Sequence, residues 1–121
     1  EIEKVARLGP RDVERLMQDE RIIRNRMKIA ATIENARRIK AIQREMGSFA
    51  DWLKSHHPKR KDEWVKLFKQ TFVFTGGEIV GEFLMSIGYL PGAHHAGCPT
   101  YKRIAKLKPA WADAEKKGFR Y

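Results

Sequence analysis

Three of the chain's potential metal ligands lie in one short segment, GAHHAGCP, which contains the only cysteine. His94 and Cys98 are four residues apart, a spacing that lets both side chains reach one ion across a turn. His95 is adjacent to His94 and is expected to point elsewhere. Structural zinc usually takes four ligands, so the segment would supply half of a zinc site. His56 and His57 are the only other histidines, but adjacent residues seldom bind one metal, and a chance pairing stays open.

The basic segment that joins two predicted helices indicates a second kind of site, one that binds phosphate. The segment DERIIRNRMKI places Arg24, Arg26 and Lys28 at the start of the second helix. Backbone N–H groups at a helix start attract phosphate, and flanking cations add to that attraction. We therefore expect Ile23, Arg24, Arg26 and Lys28 to contact one DNA strand without reading its bases. The alternative is an ordinary helical hairpin with solvated arginines.

Two carboxylates and several aromatic residues are weaker candidates. Glu78 and Glu82 have the four-residue spacing that places them on one helix face, where paired carboxylates can serve acid–base chemistry. Most such pairs are solvated or bound to nearby cations. Phe72, Phe74 and Phe83 are expected in the core rather than in a base-stacking platform. The chain has no nucleophilic triad, phosphate-binding loop or dinucleotide fingerprint.

The overall charge favours a polyanionic partner. The formal net charge is +10, and between Arg21 and Arg44 eight Lys/Arg residues face one acid, Glu34. A second basic cluster is KSHHPKRK. Each phosphate contact releases counterions, although a solubilising surface would have the same composition. A single cysteine excludes an internal disulfide and fits the cytoplasm, and neither a signal peptide nor a membrane span is expected.

The apolar residues repeat at helical spacing nearly everywhere, which predicts an all-α fold. Pro10 is expected at the first position of one helix, and a longer helix is expected from about Lys28 to a stop at Gly47. We predict one domain over residues 1–121, with a helix-hairpin-helix at about 10–46. The remaining helices and the zinc half-site would follow at about 48–121.

The helices after Gly47 are marked by local stop and start signals. Ser48 with Asp51 resembles a capping box at the start of FADWLKS. The pair Gly76–Gly77 predicts a turn before an amphipathic helix that Gly88 would close. Pro109 is expected to start a short last helix.

The sequence also resembles a known family. DVERLMQD, IIRNRMKI and IENAR occur in an order similar to the middle of the 3-methyladenine DNA glycosylase I family, a branch of the helix-hairpin-helix glycosylase superfamily. FADWLKSHHP resembles the family's aromatic segment with a His-x-Pro pattern. FVFTGGEIVGEFLMSIGY resembles its Phe-x-Phe-x-Gly turn and helix, and GAHHAGCP its C-terminal zinc half-site. The resemblance extends from Lys4 to about Cys98.

The resemblance implies a function and a site. It implies a monofunctional base-excision repair glycosylase that flips alkylated adenine out of double-stranded DNA and hydrolyses its N-glycosidic bond. It also implies structural zinc, with His94 and Cys98 as one ligand pair. The family's other ligand pair and its base-pocket residues belong to an N-terminal segment that this sequence does not contain, so no catalytic residue is assigned.

From this resemblance we expect a cytoplasmic protein that is a monomer when complete, and a 121-residue chain that binds DNA weakly and releases little base. Two departures from the family pattern stand out: Met27 occupies a position where some relatives have glycine, and Glu78 and Glu82 replace smaller residues. Two alternatives remain open. One is a non-catalytic helix-hairpin-helix DNA-binding module, and the other is an all-α structural protein with an incidental basic surface.

Overall fold

The computed structural model describes residues 1–121 and contains eight α-helices and no β-strand, which confirms the all-α prediction. None of the helices is long and apolar enough to cross a membrane. The helices, in chain order, are α1 Ile2–Ala6, α2 Pro10–Leu16, α3 Arg26–Met46, α4 Phe49–His56, α5 Lys61–Thr71, α6 Gly77–Ser86, α7 Pro99–Lys106 and α8 Ala110–Lys116.

The chain forms two compact units. Unit 1 contains Glu1–Leu53 and Gln70–Phe74. Unit 2 contains Lys54–Lys69 and Thr75–Tyr121. The single domain expected over residues 1–121 stays a prediction.

The start and end of α3 follow from its flanking residues. Asn25 caps the helix, because its side-chain oxygen accepts a hydrogen bond from the Lys28 N–H at 3.1 Å. The helix therefore begins at Arg26, two residues earlier than expected. It ends before Gly47, whose φ of +91° is a left-handed conformation that favours glycine.

The other start signals act as the sequence predicts. Pro10 is the first residue of α2, and the Asp12 carboxylate accepts the Gly9 N–H at 2.9 Å. Ser48 caps α4 by accepting the Asp51 N–H at 3.0 Å. The helices after the glycine pair and after Pro109 also form, as α6 and α8.

Two helices, α1 and α7, have too few apolar residues to be predicted from periodicity. Unit 1 fixes α1 through polar contacts with α3. The Arg37 guanidinium donates hydrogen bonds to the carbonyl oxygens of Ala6 at 3.0 Å and Leu8 at 2.9 Å. Lys40 forms an ion pair with Glu3. Contacts between helices therefore hold α1 in place, since its own five residues cannot form a stable helix.

The core of unit 1 combines one face of α3 with aromatic residues. Ile33, Ala36 and Ile42 are the buried residues of α3. Trp52 stacks on Phe49 with ring centroids 5.4 Å apart, and it meets the edge of Phe72 at 5.9 Å. The expected core position of Phe72 is confirmed.

The core of unit 2 is centred on Trp64, which is 0% exposed. Its ring meets Phe68 at 6.3 Å and Tyr89 at 6.0 Å, both in edge-on geometry. Val80 and Leu84 of α6 are also fully buried. Trp64 therefore joins α5 to the loop that follows α6 and contains the predicted metal ligands.

Phe74 does not belong to a core. Its side chain is 50% exposed and its φ is +56°, so the expectation of a core position is wrong. Hydrogen bonds to its backbone fix the turn that contains Phe74. The Asn35 side chain accepts the Val73 N–H at 2.8 Å and donates to the Val73 carbonyl at 2.9 Å. These two hydrogen bonds set the backbone position of the residue before Phe74.

Candidate nucleic-acid interface and metal half-site

The link between α2 and α3, residues 17–25, is organised by Asp19. Its carboxylate accepts hydrogen bonds from the Arg21 backbone N–H at 3.0 Å and from Nε and Nη2 of the same side chain, each at 2.9 Å. These bonds lower the pKa of Asp19 and raise that of the Arg21 guanidinium. The charge of Arg21 is thus paired within the link.

Arg26 has a local partner that the sequence pattern does not reveal. Its guanidinium binds the Glu14 carboxylate of α2 with both Nη atoms, and the Nη2–Oε2 distance is 3.0 Å. The pairing lowers the pKa of Glu14 and raises that of Arg26. Arg26 therefore joins the start of α3 to α2, in addition to any contact it makes with DNA.

The other predicted DNA contacts point into solvent. Arg24 and Lys28 are exposed and form no ion pair. Ile23 is 88% exposed. The first N–H groups of a helix have no carbonyl partner within it, and here the Asn25 side chain satisfies only that of Lys28. The start of α3 thus combines free cations with N–H donors, an arrangement suited to a phosphate.

The predicted metal ligands lie in the loop between α6 and α7. Cys98 is the N-cap of α7, and its Sγ lies 3.8 Å from Nδ1 of His94. Hydrogen bonds from Thr100, and from the Tyr101 backbone, lower the pKa of the Cys98 thiol. Zinc–sulfur and zinc–nitrogen bonds of ~2.3 and ~2.0 Å in tetrahedral geometry separate the two ligand atoms by about 3.5 Å. The observed distance is close to that value, so the two side chains fit one zinc ion.

The remaining histidines do not extend this pair. No group of three or more His, Cys, Asp or Glu side chains in the chain could hold a metal ion. His57 instead packs edge-on against Tyr89 with ring centroids 5.3 Å apart, and burial lowers its pKa. His95 is exposed, and its carbonyl accepts the Cys98 N–H at 2.9 Å.

The carboxylates of α6 have the contacts of a solvated helix face. Glu78 is 93% exposed along its side chain, and its Oε1 lies 3.5 Å from Nζ of Lys61. Glu82 is also exposed. A general acid or base usually needs a pKa tuned by burial or by a close charge of the same sign, and neither carboxylate is buried. The geometry therefore favours the solvated interpretation of this pair.

A largely apolar cavity of about 320 Å³ lies beside the half-site. Tyr101 and Ile104 of α7 line one side, and Trp111 of α8 lines another. His94 contributes to the wall, so the cavity and the metal ligands share one loop. The spacing of Tyr101 and Ile104 was the available sequence signal, but two apolar residues are too few to predict a lining face.

Comparison with known proteins gives matches in one family. A family model described as methyladenine glycosylase matches residues 1–66. The DNA-3-methyladenine glycosylase 1 of Escherichia coli (strain K12) is 35% identical over 117 residues, a match that covers 81% of this chain and 62% of that protein. A crystal structure of a variant of 3-methyladenine DNA glycosylase I in complex with 3-methyladenine has a TM-score of 0.70 and 29% identity, with 83% of this chain and 63% of that chain covered. The chain spans about three fifths of the length of these relatives.

Proposed function

The chain belongs to the methyladenine glycosylase family, and we propose on this premise that it is part of a DNA repair enzyme that removes 3-methyladenine from alkylated duplex DNA. The observation that carries the proposal is the family match. It is supported by the 35% identity with a DNA-3-methyladenine glycosylase and by a structural neighbour with a TM-score of 0.70. We place the enzyme in the cytoplasm, in agreement with its free cysteine, and propose that it acts as a monomer.

The chemistry needs little nucleophilic activation. Methylation at N3 gives the adenine a positive charge, which makes the base a good leaving group when water attacks the sugar carbon. The N-glycosidic bond breaks, its electron pair leaves with the base as neutral 3-methyladenine, and water supplies the hydroxyl group on the sugar and releases its other proton to solvent. Because the bond is inaccessible within the base stack, the nucleotide must first be flipped out at a cost of a few kcal/mol. The protein's main tasks are therefore to bind the duplex and stabilise the flipped state.

In this proposal the α2–α3 segment is a helix-hairpin-helix that binds the DNA backbone. Arg24 and Lys28 supply free positive charge, and Ile23 lies at the exposed surface of the same link. The Arg26–Glu14 pair holds the start of α3 against α2, so that the N–H donors of the helix start have a fixed position. Such contacts position a duplex without reading its sequence.

A base-release assay tests the proposed function. Duplex DNA carrying 3-methyladenine is incubated with the 121-residue chain and with the protein from the longest reading frame that contains it, and free base is separated by chromatography. We expect release by the longer protein and little release by the 121-residue chain. DNA binding without base release by the longer protein would favour a non-catalytic DNA-binding module, and neither binding nor release would favour a structural protein.

The hairpin is tested by replacing Arg24 with glutamine. We expect weaker duplex binding for all sequences and a plot of log K against log salt whose slope is shallower by about one, because one phosphate contact is lost. Fluorescence anisotropy at several NaCl concentrations measures both. Arg15→Gln is the matched control, because Arg15 is already paired with Asp12 at 3.3 Å. An unchanged slope in Arg24→Gln would contradict the phosphate contact.

We also propose that His94 and Cys98 are zinc ligands in the complete enzyme. Their spacing, the 3.8 Å between Sγ and Nδ1, and the lowered pKa of the thiol suit a thiolate–imidazole ligand pair. Zinc bound there would serve a structural role by tying this loop to other ligands. The chain's own contribution is to hold Cys98 at the start of α7 and His94 in the wall of the neighbouring cavity.

Zinc content of three single variants of the longer protein tests this assignment. Cys98→Ala and His94→Ala are expected to lose most of the bound zinc, because each leaves the site one ligand short. His95→Ala is the matched control and is expected to keep it, since His95 is exposed and only its backbone contacts Cys98. Atomic absorption after dialysis against metal-free buffer gives the stoichiometry. Zinc loss confined to the His95 variant would reverse the assignment.

A further inference from the structure

The segment around α7 is a part of unit 2 whose cations have no acidic partner. Residues 99–109 contain Lys102, Arg103, Lys106 and Lys108 and no acidic residue. All four cations are exposed, and none forms an ion pair. Elsewhere in this unit, Lys61 of α5 forms an ion pair with Glu78, and Lys117, which follows α8, forms one with Asp113. The charge on α7 is therefore not neutralised within the protein.

Lys102, Arg103 and Lys106 occupy one face of α7, and the opposite face packs on the protein. Tyr101 and Ile104 are half-buried and line the cavity described above. The ring centroids of Tyr101 and of Trp111 in α8 are 6.3 Å apart. Because this contact orients the helix, Lys102 and Lys106 project away from the cavity on adjacent turns.

This arrangement favours nucleic acid over a membrane surface. An amphipathic helix that lies on a bilayer must insert its apolar face into the lipid. The apolar face of α7 is directed into the protein instead, toward the cavity and Trp111.

Residues four apart are separated by about 6 Å along a helix axis. Phosphates two nucleotides apart on one DNA strand are separated by a rise of about 7 Å, so Lys102 and Lys106 can each contact one of them.

We propose that the exposed face of α7, formed by Lys102, Arg103 and Lys106, is a second phosphate-binding surface for duplex DNA. It lies outside residues 1–66, the part that matches the family model, and is separate from the α2–α3 link. The choice of DNA as the polyanion rests on the proposed function. The surface binds backbone phosphates and adds affinity that depends strongly on salt, with no preference for sequence.

The test compares two double variants that remove the same charge. Lys102→Gln with Lys106→Gln neutralises the proposed surface. Lys66→Gln with Lys69→Gln is the matched control on α5, where both lysines are exposed and form no ion pair. Binding of the 121-residue chain to a fluorescent undamaged duplex is measured by anisotropy over a range of NaCl concentrations. Circular dichroism confirms that each variant keeps its helix content.

We expect the α7 variant to lower the slope of log K against log salt by about two, and the control to change it much less. Between 50 and 200 mM NaCl, the unsubstituted chain then loses about tenfold more affinity than the variant. An unchanged slope in the α7 variant, or an equal drop in the control, would overturn the proposal. Binding to phosphatidylserine vesicles without binding to duplex would overturn it as well.

Failure of this inference can be told apart from failure of the proposed function. If Arg24→Gln lowers the slope and the α7 variant does not, the hairpin interface stands and the second surface is refuted. If only the α7 variant lowers it, the second surface stands and the hairpin interface is refuted. An absence of duplex binding by every version, including the longer protein, would refute both.

Discussion

Replacing Trp64 with alanine is expected to lower the free energy of unfolding by about 3–5 kcal/mol, the largest stability effect of any single substitution proposed for this chain. Trp64 is 0% exposed, and its ring contacts Phe68 and Tyr89 at the centre of unit 2. Alanine would leave a cavity that surrounding helices can fill only in part. Urea denaturation followed by circular dichroism measures the change through a shift of the midpoint.

Two further variants show whether the effect comes from lost packing. Ile79→Ala removes an apolar side chain that is 63% exposed in the same unit, and is expected to change stability by less than about 1 kcal/mol. Trp64→Phe keeps an aromatic ring and removes an indole N–H that has no hydrogen-bond partner. It should therefore cost much less than alanine. Equal losses for Trp64→Ala and Ile79→Ala would contradict the central role of Trp64.

Helix boundaries were predictable where single residues determine them locally. Pro10 can begin a helix because it lacks an N–H that would be unpaired there anyway. Gly47 can end one because it adopts a left-handed φ at little cost, and Ser48 can cap the next. In contrast, α1 was missed because α3 stabilises it through Arg37 and Lys40, a tertiary effect that periodicity does not contain.

The candidate site shows the same division between local and long-range information. The spacing of His94 and Cys98 predicts that both side chains can reach one ion, and the structure places Sγ and Nδ1 3.8 Å apart. Their role as zinc ligands stays a prediction. The family resemblance is confirmed by the match over residues 1–66. The pairing of Arg26 with Glu14 was not predictable, because it joins residues twelve apart across a link whose course depends on Asp19. Sequence identified the cations of the link but could not separate the paired from the free ones.

The contact of the Asn35 side chain with Val73 is the clearest case of a polar contact that could not be predicted from the sequence. It lies in α3, 38 residues before Val73, yet it satisfies both the N–H and the carbonyl of that residue. Arg38, one turn later, donates to the Thr71 carbonyl at 3.1 Å. Together the two side chains fix the backbone at Thr71 and Val73, directly before Phe74, which has a left-handed conformation. A bulky side chain seldom adopts that conformation unless its surroundings impose it.

Replacing Asn35 with alanine is therefore expected to lower the free energy of unfolding by about 2–4 kcal/mol, since a part-buried donor and acceptor both lose their partner. Hydrogen exchange should show faster exchange of the Val73 amide before the amides of α3 are affected. Thr32→Ala is the matched control on the same helix, because it removes an exposed hydrogen bond to the Lys28 carbonyl. Its effect is expected to stay within about 0.5 kcal/mol. A loss for Asn35→Ala no larger than this, with the Val73 amide still protected, would show that the turn is held by packing and not by the Asn35 side chain.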